Sequence, residues 1–364
     1  MLIWQSILAL ILAWMCSSAA RASDLTIAVI GPMSGQFAEF GAQLRAGVEQ
    51  AVVDINASAG VNGRQITVIH EDDACDPAKA VTAAAKVAAR RVSLVIGHFC
   101  SRASIPASRV YAQAGILQIS PASTHPELTI KRAGPTIFRL SGRDDQQAKV
   151  AARYIAQKNN GRDVAIVHDE SVFGLWLASQ ARRAIKAAGL NEPRLEALSG
   201  DLNKLVARLK TAGAETVYFT GNHSSAARMV LELRKQGMDT RLIGSNALAT
   251  QEFWQATGAA GEGTVLTALW DPRSHPAAQA VVAKLRARRI EPERFVLFAY
   301  AAVEVWALAA RSAGSVEAKV VSKYLSKEKF STVLGTFSFD QKGDPSLSFF
   351  RLHKWRAGRY TPFD

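Results

Sequence analysis

Short apolar runs recur along this chain, each breaking off into glycine or small polar residues and each followed by a longer stretch with apolar residues at helical spacing. LTIAVIG (25–31), ITVIHED (66–72), SLVIG (93–97), GILQIS (115–120) and TIFRL (136–140) are such runs. Unbroken apolarity over so short a span reads as a strand covered on both faces. Between the first two, Ala42, Ala46, Val48, Ala51, Val52 and Ile55 share one helical face. Asp76 and Pro77 then open an alanine-rich helix through Ala89, an acidic cap with proline in the first turn. A shorter helix is predicted over 104–113. Alternation of this kind predicts an α/β fold with parallel sheets covered by helices.

The pattern restarts after Gly142-Arg143-Asp144-Asp145. Strands at DVAIV (163–167), TVYFT (216–220), RLIG (241–244) and TVLTAL (264–269) are interspersed with helices over 176–188, 202–211 and 225–236. Asp271-Pro272 stops this series. Helices over 277–289, 296–310 and 316–325 follow, then two strand-like runs, GTFSFD (335–340) and SFFRLHKW (348–355), joined by the turn Gln341-Lys342-Gly343-Asp344. At 364 residues the chain exceeds the size at which one core keeps growing. Two Rossmann-like lobes are expected, 23–142 plus 273–348 as the N-terminal lobe and 143–272 plus 349–364 as the C-terminal lobe, with the crossings between them forming a hinge.

The stretch 94–124 concentrates the candidate chemistry. Its two strands end in Cys100-Ser101 and Ala122-Ser123-Thr124, where backbone N–H groups and hydroxyls collect at carboxyl ends. Ligands of open α/β sheets sit in that crevice.

Residues 1–22 read as a leader. ILALILAW (7–14) is followed by small residues ending in Ala20-Arg21-Ala22, which predicts export to the periplasm with cleavage after Ala22; a membrane anchor is the other reading of this run. Removing Cys16 with the leader leaves Cys75 and Cys100, either a disulfide, as an oxidising compartment favours, or two free thiols. A formal charge of +13 points to anionic partners, but the basic residues scatter along helices without interleaved aromatics, which argues against nucleic acid. Steering of an anionic solute is the remaining use of that charge.

Catalytic signatures are missing. His70, His98, His125, His168, His223, His275 and His353 show no metal-binding spacing, and there is no nucleophile elbow, phosphate loop or dinucleotide fingerprint. No enzyme activity and no cofactor or metal is expected.

AVIGPMSG (28–35), DDACDP (72–77), VIGHFCS (95–101), SPAST (120–124) with PEL (126–128), AIVHDESVFG (165–174) and FDQKGD (339–344) together resemble the periplasmic branched-chain amino-acid-binding proteins. The resemblance spans essentially the whole chain after the leader. It implies a type I periplasmic binding protein fold, the solute-binding component of an ABC importer, in which two lobes close over a ligand and hand it to an inner-membrane permease. It also implies a monomer, a Cys75–Cys100 disulfide, and carboxylate binding at Ser101, Ala122, Ser123 and Thr124, which also help to hold the amino group. Phe40 and Phe173 match aromatic positions of the ligand pocket.

Asn222 and Asn246 depart from the pattern, standing where amino-acid binders have tyrosine and the glutamate that pairs with the ligand's ammonium. A buried ammonium without a carboxylate partner loses about 3 kcal/mol or more. Asp169, Glu170 or Glu39 would have to substitute. The expected ligand is therefore a small carboxylate: an aromatic or aliphatic acid lacking an amino group first, an amino acid second. A ligand-sensing receptor module is the alternative function, although no further transmembrane run or helix-turn-helix segment is apparent to carry a signal.

Overall fold

The computed structural model describes residues 24–158, 163–293 and 295–363. The expected leader and its cleavage point lie outside the described residues. The chain runs β1 (Leu25–Gly31), α1 (Ala38–Ala57), β2 (Ile66–Asp72), α2 (Pro77–Ala89), β3 (Leu94–Gly97), α3 (Ser101–Ala114), β4 (Leu117–Ser120), α4 (Glu127–Ile130) and β5 (Ile137–Arg139). It continues through α5 (Asp144–Lys158), β6 (Val164–His168), α6 (Val172–Ala187), β7 (Arg194–Ala197), α7 (Leu202–Thr211), β8 (Thr216–Thr220), α8 (His223–Lys235), β9 (Arg241–Gly244), α9 (Gln251–Thr257) and β10 (Val265–Leu269). It finishes with α10 (Gln279–Ala287), α11 (Phe295–Ala313), α12 (Ala318–Leu325), β11 (Lys329–Thr332), β12 (Gly335–Ser338), β13 (Phe350–Arg356) and β14 (Arg359–Pro362). These elements form two compact units, one comprising the chain through Ala122, Ala133–Phe138 and His275–Thr336, the other Ser123–Arg132, Arg139–Ser274 and the chain from Phe337 onward.

The sheet of the first unit has the order β2-β1-β3-β4-β5. Its parallel register aligns Gly31 with Asp72, Ile30 with Gly97, and Ile96 with Ile119, so the carboxyl ends of β1 to β4 fall along one edge. The Asp72 carboxylate accepts from Met33 N at 2.8 Å and Ser34 Oγ at 2.5 Å, fixing the turn after β1. Gly47 lets α1 meet α11 closely, because a Cβ there would lie 2.0 Å from the Val296 carbonyl oxygen. Helix α11 is long and apolar enough to cross a bilayer, but most of it is buried in this unit's core.

The second unit has the order β14-β13-β10-β9-β8-β6-β7, parallel from β7 to β10 and antiparallel through β13 and β14. Strand periodicity fills both faces of this sheet. Ala165, Val167, Val217 and Phe219 join one core with Leu205, Leu209 and Trp355, whereas Ile166, Tyr218, Ile243 and Val265 join the other with Ala151, Ile155 and Leu177.

The α/β architecture matches the sequence expectation, with additions the apolar pattern does not mark. β7 and β14 are edge strands with largely exposed side chains, and α9 is short. The two terminal runs do not pair with each other: β12 pairs with β11, and β13 pairs with β10 and β14.

Candidate ligand-binding site

In the first unit, β3 ends at Gly97, with φ +148° and its Cα packed so that a Cβ would lie 2.2 Å from the Ile30 carbonyl oxygen. Only glycine fits there. His98 follows and is wholly buried: Nδ1 lies 2.5 Å from Asp73 Oδ2 and Nε2 lies 2.8 Å from the Tyr111 hydroxyl. Burial and the Asp73 charge push the Tyr111 hydroxyl well above its usual range. Ser120 Oγ donates to the His98 carbonyl at 2.9 Å, and Gln118 Nε2 donates to that of Gly97 at 2.9 Å, stitching the ends of β3 and β4 together. His98 is thus structural.

The chain leaves this network through Phe99 and Cys100. Cys100 is bonded to Cys75, which decides between the two readings of the cysteine pair. Arg102 Nε donates to the Cys75 carbonyl at 2.7 Å, and the Cys100 carbonyl accepts from Ala103 N and Ser104 N, both at 2.9 Å, to start α3. Ser101 is therefore the first residue of a helix tied down on two sides, and Ala122 is buried just beyond β4. Phe40 stacks on Phe99 with centroids 4.4 Å apart, and both meet Phe295 edge-on. Phe99, overlooked in the sequence, completes this aromatic wall.

In the second unit, the loop after β4 is held by its carbonyls. The Ser123 carbonyl accepts from Arg139 Nη1 at 2.8 Å and Ser141 Oγ at 2.9 Å, and the Thr124 carbonyl accepts from Asp144 N at 3.0 Å. The Asp144 side chain is hydrogen-bonded to Thr124 and accepts from Gln147 Nε2 at 3.0 Å. Gln147 Oε1 in turn accepts from Asn246 N and Thr267 Oγ1, each at 2.9 Å. Thr124, Asp144 and Asn246 therefore belong to one hydrogen-bonded chain.

Asp144 is almost wholly buried, and burial holds its carboxyl above the usual range against the hydrogen bonds of Thr124 and Gln147. It makes no ion pair among the described residues. Its neighbour Asp145 is clamped by Arg143 at 2.8 and 2.7 Å. Two acids opening a helix read as dipole-compensating residues. The signal that separates them is the arginine, which engages Asp145 and not Asp144.

The remaining positions have different surroundings. Asn222 caps α8, with Oδ1 accepting from Ser225 N at 2.9 Å and Nδ2 donating to Asp169 Oδ2 at 2.8 Å. Asp169 also accepts from Asn222 N and Ser171, so its carboxylate ties the end of β6 to the start of α8. Phe173 packs on the core beside Leu177. The half-buried Asn246 side-chain amide has no hydrogen-bond partner among the described residues. No group of His, Cys, Asp or Glu among the described residues is arranged to hold a metal.

Comparison with known proteins fits this geometry. A profile described as periplasmic binding protein matches residues 24–358. The chain belongs to the periplasmic binding protein family. Members of this family are solute-binding transport proteins, not enzymes. This periplasmic binding protein is 39% identical over 341 residues to Leu/Ile/Val-binding protein homolog 1 of Brucella melitensis, covering 92% of this chain and 91% of that protein. It is 38% identical to the amino acid binding protein of Pseudomonas aeruginosa over 93% of this chain and 92% of that one. A Desulfitobacterium hafniense ABC transporter substrate-binding protein solved with leucine superposes with a TM-score of 0.78 at 25% identity, over 93% of this chain and 100% of that one.

Proposed function

We propose that this chain is the exported, monomeric solute-binding subunit of an ABC importer and that its ligand is a small α-amino acid with an apolar side chain. On this reading its strand-end residues engage the ligand, which the chain presents to an inner-membrane permease. Ser101, Ala122, Ser123 and Thr124 take the carboxylate, through hydroxyls and backbone N–H groups that form charge-assisted hydrogen bonds without a cation of their own. The side chain packs on Phe40, Phe99 and Phe173.

The observation that carries the amino-acid reading is Asp144. The asparagine at 246 suggested an ammonium with no acid, which favoured carboxylates lacking an amino group. A buried carboxyl bonded to Thr124 supplies that acid from another element. Its desolvation is relieved when a cation arrives. Asn246 contributes its free amide as a neutral acceptor, and Asn222 contributes by holding Asp169. The similarity to a Leu/Ile/Val-binding protein homolog and to an amino acid binding protein supports the same ligand class.

Calorimetric titration with leucine, valine, alanine and benzoate tests this. Saturable binding of an aliphatic amino acid, lost in Asp144→Asn, is expected. Tight binding of benzoate with no response to any amino acid would sink the assignment and restore the organic-acid reading.

A further inference from the structure

Arg139 ends β5, within a run that the sequence presents as an apolar strand, and its side chain is fully buried. Its Nε pairs with Asp344 Oδ1 at 2.8 Å, while Nη1 donates to the Ser123 carbonyl at 2.8 Å and Nη2 donates to the His125 carbonyl at 2.9 Å and Thr129 Oγ1 at 2.7 Å. Asp344 is itself fixed, accepting from Thr129 Oγ1 and Arg143 Nη1, both at 2.7 Å. Its backbone N donates to Asp340 Oδ1 at 2.9 Å, and the neighbouring Gly343 carbonyl accepts from Arg139 N at 3.0 Å.

The consequence follows from peptide geometry. In a planar trans peptide the carbonyl of one residue and the N–H of the next point in opposite directions. The Ser123 carbonyl faces Arg139 and Ser141, so the Thr124 N–H faces away from them. The Thr124 carbonyl faces Asp144 N, so that carbonyl is held by the start of α5 and not by Arg139. The His125 carbonyl faces Arg139, and the next residue is Pro126, which has no N–H to place. The Ser123 and His125 carbonyls are held by one buried fork and the Thr124 carbonyl by Asp144 N, so the Thr124 N–H is presented on the side opposite the guanidinium.

We propose that Arg139, held by Asp344, is a positioning residue for the carboxylate site: it touches no ligand but orients the Ser123–Thr124 peptide so that the Thr124 N–H forms part of the anion-binding surface. This rests on the reading that Ser123 and Thr124 take a carboxylate. It also gives the FDQKGD segment a task, since Asp340 and Asp344 form the socket that keeps the guanidinium in register. Lysine cannot replace it, because a single ammonium lacks the rigid fork needed to hold two carbonyls and a carboxylate at once.

The test compares L-leucine with L-leucinamide, which keeps the ammonium and side chain but lacks the carboxylate. Binding of both is measured by calorimetry in wild type, Arg139→Lys and Ser141→Ala, with thermal melts to establish folding. Arg139→Lys is expected to weaken leucine about thirtyfold while leucinamide changes little, so the preference for the carboxylate collapses. Ser141→Ala removes one donor from the Ser123 carbonyl without touching the ion pair, and about threefold is expected on the same preference. It carries the test if Arg139→Lys does not fold. Unchanged leucine-to-leucinamide preference in the folded variants would overturn this inference alone. Wild type that binds neither leucine, valine, alanine nor benzoate would overturn the proposed function instead.

Discussion

Each unit buries an acid at the carboxyl end of its sheet, and the two acids are treated differently. Asp73 is wholly enclosed and has its partners at hand: His98 on one oxygen and Cys75 N, at 2.8 Å, on the other. Asp144 is almost as enclosed, yet it accepts only neutral hydrogen bonds, and burial pushes its carboxyl upward against these and the charges of His125 and Arg139. A satisfied buried acid is architecture. One left short of a cation is a receptor for one, because its desolvation cost is recovered only when positive charge comes within reach.

That contrast can be broken from either side. The largest effect is expected in the first unit, where Cys75→Ser with Cys100→Ser opens a loop with a sequence separation of 25. Chain entropy puts the loss at about 3.5 kcal/mol, readable as a lower midpoint in urea. In the second unit, Asp144→Asn should cost about 3 kcal/mol in amino-acid affinity, more than a hundredfold, while thermal stability holds or rises. A fall in both together would place Asp144 with Asp73 as a structural acid.

A smaller effect appears as pH dependence. Because the folded carboxyl of Asp144 holds its proton above the unfolded value, the native state keeps a proton that the unfolded chain releases. Stability from this group is therefore lost as pH rises through that window. An ammonium ligand needs the ionised form, so affinity should move the other way, falling by up to about tenfold for each pH unit below the raised value. Calorimetry across mildly acidic pH checks this, and Asp144→Asn should flatten the profile. The smallest change is Tyr111→Phe, which removes one neutral hydrogen bond from His98 and should cost about 1 kcal/mol of stability without altering ligand affinity.

The α/β alternation was legible because buried parallel strands need continuous apolar runs, and the strand-end positions followed from it. Legibility failed where meaning depends on partners distant in sequence. Arg139 looks like an interruption in an apolar strand until Asp344 arrives from much later in the chain. Asp144 looks like an ordinary helix-start acid until Thr124 and Gln147 close around it. Asn222, read as a ligand contact, also caps α8 and holds Asp169, a second task that its position in the sequence does not show.

On the proposed export, helix α11 sets a conflict between the route and the destination of the chain. Its apolar length serves the core of the first unit, yet the same residues, met unfolded in a translocation channel, have the composition of a stop-transfer segment. Glu304 lies in its middle. In the folded protein burial drives that carboxyl up to about 7, and among the described residues only the Val333 N–H is bonded to it, at 2.9 Å. In transit the same carboxylate is ionised and adds about 3 kcal/mol against entering the bilayer. A residue that burdens the native core thus helps the helix to pass through the membrane.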